Sequence, residues 1–278
     1  MMTRLLFLPL AVLALSGQAA PPRATPDVEL RRIDCGQLVD QDLAPYNDTM
    51  ALDGRRETLV VPCYLIRHGR DWMVWDAGLP RRYLGVRPVP PDGATLAAPV
   101  ERALARLRLT PGDIRYVGIS HYHWDHSGQL PVFDRSELLI GKADWDVVKG
   151  SGDWPGLERN LFAPWTGGRG KVKPVSGDHD VFGDGSVVIL ALPGHTPGHQ
   201  GLLVRLPRSG ALLLTGDLAH TASNYREDGV PTFNTDRADT LASLARFKAI
   251  ARNLKARVVI EHVAADVAKL PRFPEPAR

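Results

Sequence analysis

The sequence has few cysteines, no second long apolar run and no concentrated basic patch. Only Cys35 and Cys63 occur among its 278 residues, and their spacing fits no usual cysteine-based metal site. After residue 20, no apolar run is long enough to span a bilayer. The Lys and Arg residues are scattered and the formal net charge is only +3, so we expect no nucleic-acid partner.

The two cysteines leave two interpretations open. In an oxidising compartment Cys35 and Cys63 could form a disulfide. Equally, Cys63 stands in a strongly apolar predicted strand and could be a small buried hydrophobic residue.

The first twenty residues predict a signal peptide rather than part of the fold. Arg4 precedes an apolar run over residues 5–15, and small residues follow, ending in Ala19 and Ala20. A buried amphipathic helix fits poorly because the run has no polar face. We therefore expect cleavage after Ala19 or Ala20 and a periplasmic or secreted mature protein without a membrane attachment.

Residues 21–278 predict one α/β domain. Strands come first and then alternate with helices, and no internal repeat or linker interrupts them. The clearest helix covers residues 236–254, with Thr235 or Asp236 as its N-cap. A second helix is predicted over 97–107, a hairpin turn over 68–71, and irregular loops over 79–94 and 153–173. Strands are predicted over residues 28–33, 59–67, 72–76, 116–119, 138–141, 187–192, 201–206, 211–215 and 257–261.

The strongest chemical signal follows the buried strand over residues 116–119. His121 and His123 are two positions apart, so in an extended segment they point the same way and can bind one metal ion. Asp125 and His126 lie in the turn that follows and can face a second ion. Imidazole nitrogen and carboxylate oxygen are ligands that Zn²⁺ takes.

Three further ligand-competent side chains stand where other apolar strands end. His195 follows the strand over 187–192, Asp217 the strand over 211–215, and His262 the strand over 257–261. Open α/β sheets assemble their sites at such strand ends. The sequence therefore predicts that these residues join the histidine-rich segment.

These seven residues together resemble the metallo-β-lactamase superfamily, and their spacing resembles that of the bacterial N-acyl-homoserine lactonases. The resemblance implies an αββα sandwich: two mixed β-sheets packed face to face with helices outside. It implies two divalent metal ions, expected to be zinc, with Asp217 bridging them. The first ion would be bound by His121, His123 and His195, the second by Asp125, His126 and His262, with Asp76 and His199 supporting the ligands.

The sequence departs from the lactonase pattern at His220. The lactonases carry a tyrosine three residues after the bridging aspartate, and this chain has His220 there. We expect Asp125 and His220 to be catalytic, with His220 donating a hydrogen bond; alternatively His220 only packs beside the site. A smaller departure is Val263, where an acidic residue is expected.

The chemistry that these residues predict is hydrolysis of an activated acyl bond by metal-activated water. A β-lactamase would carry Cys or Ser in place of Asp217, and a glyoxalase-type thioesterase would add a helical domain, for which the sixteen residues after His262 are too few. A lactonase remains, with a related ester or thioester hydrolase as the alternative and a non-catalytic metal-binding protein as the least favoured. The expected partner is a small acyl lactone, and a homodimer is possible.

Overall fold

The structure, a computed structural model, describes residues 27–278, so the predicted signal peptide lies outside the described residues. These residues form twelve strands and seven α-helices. The strands are β1 (Val28–Asp42), β2 (Arg56–His68), β3 (Asp71–Trp75), β4 (Gly93–Thr95), β5 (Tyr116–Gly118), β6 (Glu137–Gly141), β7 (Val172–Val175), β8 (His179–Asp180), β9 (Val187–Ala191), β10 (Gln200–Leu206), β11 (Gly210–Leu214) and β12 (Arg257–Val259). The helices are α1 (Val100–Arg106), α2 (Trp124–Ser127), α3 (Lys142–Lys149), α4 (Ala163–Thr166), α5 (Ala222–Glu227), α6 (Arg237–Leu254) and α7 (Ala264–Val267).

The strands form two mixed sheets. The larger sheet has the order β4-β1-β2-β3-β5-β6-β7 and the smaller has the order β12-β11-β10-β9-β8. In the larger sheet β3, β5, β6 and β7 are parallel neighbours, while β1, β2 and β3 pair antiparallel. In the smaller sheet only β11 and β12 are parallel neighbours.

Alternation of side chains along the strands produces the layers. Met73 and Trp75 of β3 pack with Leu212 and Leu214 of β11 in the apolar layer between the sheets. The intervening Val74 points to the opposite face and packs in the cluster that contains residues of α1 and α3. On the outer face of the smaller sheet, a cluster that includes Leu213 packs against residues of α6. The predicted αββα sandwich is confirmed.

Local sequence signals account for several boundaries. The side chain of Asp236 accepts the backbone N–H of Asp239 and caps α6 as predicted. Helix α1 begins only at Val100, because the preceding Pro99 is in an extended conformation. The hairpin turn between β2 and β3 is also confirmed, with His68 paired to Asp71.

Two predictions of local structure were incomplete. Strand β1 extends to Asp42 rather than ending near residue 33, because register irregularities after Asp34 and Leu38 break its alternation without ending its pairing with β2. The segment over 153–173 is not wholly irregular: it includes helix α4 and buries Leu161, Phe162 and Trp165. Glycine and proline obscured those apolar contacts in the sequence.

Cys35 and Cys63 form a disulfide that joins β1 to β2, with their Cα atoms 5.7 Å apart. Both side chains are fully buried in the apolar cluster beneath the outer helices. The bond therefore decides between the two interpretations that the sequence left open. None of the helices formed by residues 27–278 has the length and apolar character needed to cross a membrane.

Candidate metal centre

The predicted ligands meet because several strands deliver them to one edge of the sandwich. Strands β9, β11 and β12 run in the same direction, since β9 and β11 are both antiparallel to β10 while β12 is parallel to β11. Their carboxyl ends therefore lie at the same edge, and they are followed by His195, Asp217 and His262. Gln200, at the start of β10, bonds through its backbone and side chain to the carbonyls of Ser120 and Ile119. This contact connects the chain after β5, which carries the other histidines, to the smaller sheet.

The first cluster contains His121, His123 and His195. The Nε2 atom of His195 lies 3.1 Å from His121 Nε2 and 3.1 Å from His123 Nδ1. Asp217 Oδ2 lies 3.5 Å from His121 Nε2 and 3.3 Å from His195 Nε2. Three imidazole nitrogens and one carboxylate oxygen thus converge.

The second cluster contains Asp125, His126 and His262. The Nε2 atoms of the two histidines are 3.3 Å apart, and each is within 4 Å of Asp125 Oδ2. Asp217 Oδ1 lies 3.1 Å from His126 Nε2 and 2.9 Å from His262 Nε2. The two oxygens of Asp217 therefore face different clusters.

The distances between the nitrogen atoms in both clusters are those expected of ligands that bind one metal ion. Ligands held tetrahedrally about 2.0–2.1 Å from one Zn²⁺ ion are about 3.3 Å apart, close to the observed nitrogen–nitrogen distances. Asp217 Oδ1 is buried and receives no hydrogen bond from the described residues, although His126 and His262 lie close to it. The Nδ1 atoms of both rings face acceptor oxygens, so these atoms carry the ring protons and the Nε2 atoms do not. A buried carboxylate oxygen without a donor is costly unless a cation satisfies it.

The outward-facing nitrogens of four of these histidines have hydrogen-bond partners. Such contacts fix the orientation of an imidazole and the tautomer available to a metal. Asp76 Oδ2 lies 2.8 Å from His126 Nδ1 and so contacts one of the proposed ligands. The other pairs are His121 Nδ1 with Ser120 Oγ at 2.9 Å, His195 Nδ1 with Asn234 Oδ1 at 2.8 Å, and His262 Nδ1 with the Val60 carbonyl at 2.8 Å.

His199 lies next to the centre but in neither cluster. Its Nε2 accepts the backbone N–H of Asp217 at 2.9 Å, and its Nδ1 donates to the Leu192 carbonyl at 2.9 Å. Burial lowers the pKa of His199 to about 3, so the ring is neutral and can accept this bond. Gly216 makes the close approach possible, because a Cβ atom there would lie 2.7 Å from His199 Nε2 and its φ is +53°.

His220 is buried beside the shared carboxylate. Its Nε2 lies 3.0 Å from Asp217 Oδ2, and its ring stacks on His262 with centroids 5.6 Å apart. Burial lowers the pKa of His220 to about 4, although the charge of Asp217 opposes the shift, so the imidazole is neutral near pH 7. Its Nδ1 has no hydrogen-bond partner among the described residues.

Aromatic side chains adjoin the centre. Tyr46 and Phe233 pack edge-on against each other with centroids 5.2 Å apart, and each also contacts the ring of His220. Trp124, between His123 and Asp125 in the chain, packs on Tyr83 at 5.5 Å. These partly exposed rings provide apolar surface next to polar ligands.

Three residues that sequence reasoning did not single out also belong to the surroundings of the centre. Asn234 contacts His195, and Asp144 accepts bonds from Thr196 Oγ1 and the Gly198 N–H, which holds the loop that carries His195. Burial raises the pKa of Asp144 to about 7. Glu261 is fully buried beside His262, and burial together with the charge of Asp76 raises its pKa to about 8. Its position next to His262 in the sequence was the available signal.

A family comparison identifies the class to which this architecture belongs. The family model described as the metallo-beta-lactamase superfamily matches residues 56–262, a span that contains both clusters. The chain belongs to this superfamily.

Several similar proteins within the superfamily are named N-acyl homoserine lactonases. The N-acyl homoserine lactonase AttM of Azorhizobium caulinodans is 30% identical over 226 residues, which are 76% of this chain and 84% of that protein. The N-acyl homoserine lactonase of Bacillus cereus is 28% identical over 80% of this chain and 88% of its own length. Among solved structures, a quorum-quenching N-acyl homoserine lactone lactonase has a TM-score of 0.76 at 25% identity, covering 90% of this chain and 98% of its own.

A second solved structure contains a ligand. It is a variant of AiiA from Bacillus thuringiensis with N-decanoyl-L-homoserine bound at its active site, and its TM-score is 0.74 at 25% identity. It covers 90% of this chain and 98% of its own.

Proposed function

We propose that this protein is a dinuclear metal-dependent hydrolase that opens the lactone ring of N-acyl-homoserine lactones. The observation that carries the proposal is the Asp217 carboxylate, whose two oxygens face two separate histidine clusters. The names of the similar proteins, and the ring-opened product bound to one of them, support the choice of substrate.

The two clusters assign the ligands of the two ions, which we propose to be zinc. The first ion would be bound by His121, His123 and His195, and the second by Asp125, His126 and His262. Asp217 would bind both ions. When bound, the ions would supply Lewis acidity, which lowers the pKa of water and polarises the substrate carbonyl.

Residues of the chain then transfer the proton and stabilise the charge that develops during the reaction. Water attacks the carbonyl carbon, and the bond from that carbon to the ring oxygen breaks. Asp125, at the rim of the second cluster, accepts the proton of the water and returns it to the ring oxygen, which leaves as an alcohol. His220 donates an N–H to the substrate oxygen that becomes negative.

A substrate panel on metal-replete protein tests this proposal. We expect turnover of N-acyl-homoserine lactones to exceed that of thioesters and β-lactams. A β-lactamase would carry Cys or Ser in place of Asp217, and the similar proteins described above are named lactonases. Removing the metal with a chelator should abolish turnover, and adding Zn²⁺ should restore it. Preferred turnover of a thioester or a β-lactam would contradict the assigned substrate class, while turnover that survives complete metal removal would contradict the metal-dependent reaction.

We also propose that the protein is exported. The disulfide between Cys35 and Cys63 supports an oxidising compartment, where such bonds persist, and residues 1–20 have the layout of a signal peptide. N-terminal sequencing of protein from the native host should return a chain that begins at Ala20 or Pro21. An intact Met1 on the active protein would refute export by this route.

A further inference from the structure

Glu261 connects the two strand ends that deliver Asp217 and His262. It follows β12 and immediately precedes His262, and its Oε1 accepts the backbone N–H of Gly216 at 3.0 Å. Gly216 immediately precedes Asp217. The backbone N–H of Glu261 in turn donates to Thr215 Oγ1 at 3.3 Å. The two loops are therefore joined in both directions, by residues that lie one or two positions before each ligand.

A carboxyl group at this position is costly for the fold. The side chain is fully buried, and its Oε2 has no hydrogen-bond partner among the described residues. Burying a polar atom without a partner destabilises a folded protein. An apolar residue of similar size would remove the unpaired Oε2 atom but would leave the Gly216 N–H without an acceptor, so the fold gains little net stability from Glu261.

Glu261 also lies against the support of the second cluster. One oxygen of Glu261, one oxygen of Asp76 and one ring nitrogen of His126 lie within 4.8 Å of one another. Asp76 bonds to His126 Nδ1, as well as to the backbone N–H and hydroxyl of Ser120. Glu261 therefore lies close to His126, and its bond to Gly216 holds the backbone immediately before Asp217.

We infer that Glu261 is a positioning residue for the second metal ion, a role that rests on the proposed dinuclear centre. Its acceptor oxygen sets the separation between His262 and the Oδ1 atom of Asp217, which the structure places 2.9 Å apart. Residues that orient metal ligands typically change metal affinity or activity by about 10- to 100-fold when they are replaced.

Three variants test the role. Glu261→Gln keeps an acceptor oxygen at the same reach, Glu261→Leu keeps the volume without an acceptor, and Glu261→Asp keeps the carboxyl group but is too short to reach Gly216. Asp266→Asn is the matched control, because the Asp266 carboxylate bonds to the Ile260 N–H on the same turn and not to Gly216. Metal-free protein is titrated with Zn²⁺ against a chromophoric chelator, and thermal unfolding of the metal-free forms is followed by circular dichroism.

We expect the second Zn²⁺ to bind about 10- to 100-fold more weakly in the Leu and Asp variants, with a smaller effect on the first ion. The Gln variant and the control should stay within about threefold of the wild type. The metal-free Leu variant should melt close to the wild-type temperature, because it removes the unpaired Oε2 atom but also leaves the Gly216 N–H without an acceptor.

Results that contradict the role of Glu261 can be distinguished from results that contradict the dinuclear centre. Wild-type affinity for the second ion in the Asp or Leu variant would overturn the role. Weaker binding of the second ion to the Gln variant would also overturn the role. So would a metal-free Leu variant that melts well below the wild type, since either result would mean that Glu261 mainly stabilises the fold. A wild-type protein that binds a single Zn²⁺ would instead refute the dinuclear centre of the proposed function.

Discussion

Replacing Asp217 with asparagine should remove at least one metal ion and lower kcat/KM by at least about a thousandfold, because activation of water and of the carbonyl depends on the ions. The substitution preserves the shape of the side chain but replaces one ligand oxygen with an NH2 group and removes the negative charge. In the protein those oxygens lie 2.9 Å from His262 Nε2 and 3.3 Å from His195 Nε2. Elemental analysis of the purified variant and its kinetics on a lactone give the two measurements.

A matched control separates this effect from a general loss of charge. Asp178 is an exposed aspartate that pairs with Arg246 on the surface, so Asp178→Asn should keep both ions and full activity. An Asp217→Asn protein that keeps both ions and wild-type kcat/KM would contradict the bridging role. A wild-type protein that holds one ion after metal loading would contradict the dinuclear centre itself.

The positions of the seven proposed ligands could be predicted because each depends on a local rule. His121 and His123 are two residues apart shortly after β5, and Asp217 and His262 each follow an apolar strand. Strand direction then brings these ends to one edge of the sandwich, so local patterns were enough to foresee a common site.

Not every residue that holds a ligand could be predicted in the same way, although Asp76 and His199 were expected from the resemblance. Asn234 contacts His195 across 39 positions of the chain, and Asp144 holds the same loop across more than 50. Neither residue lies at a sequence spacing that is typical of a metal site, because each makes its contacts only after distant elements have packed together. Glu261 stands next to a ligand, but only burial and the bond to Gly216 distinguish it from an ordinary strand-end carboxylate.

The same distinction applies to the fold. The strand pattern and the cap of α6 are local signals, and they predicted one α/β domain and the start of α6. The layered sandwich was implied by the resemblance to the metallo-β-lactamase superfamily. Strand β1 runs through two irregularities because its pairing with β2 continues, and that pairing is a contact between distant segments. The apolar residues of 153–173 are likewise buried by contacts with the larger sheet's outer cluster rather than by a periodic pattern of their own.

Replacing His220 with phenylalanine should lower kcat by about ten- to a thousandfold, the range expected for losing one acid or oxyanion donor. Phenylalanine preserves the aromatic contacts with Tyr46 and Phe233 but removes Nε2, which lies 3.0 Å from Asp217 Oδ2. His220→Tyr should retain substantial activity, because a phenol at this position can also donate a hydrogen bond.

The metal content of the His220→Phe protein shows whether a lower kcat results from a missing hydrogen-bond donor or from a missing metal ion. The structure places His220 outside both ligand clusters, and its pKa near 4 makes it a neutral donor rather than a cation near pH 7. The His220→Phe protein should therefore contain as much metal as the wild type, and the decrease should appear in kcat rather than in KM. Full kcat with the metal in place would make His220 a packing residue, since its ring contacts would then be its whole contribution. Loss of an ion would show that His220 is itself a metal ligand. Eight side chains, rather than seven, would then bind the two ions.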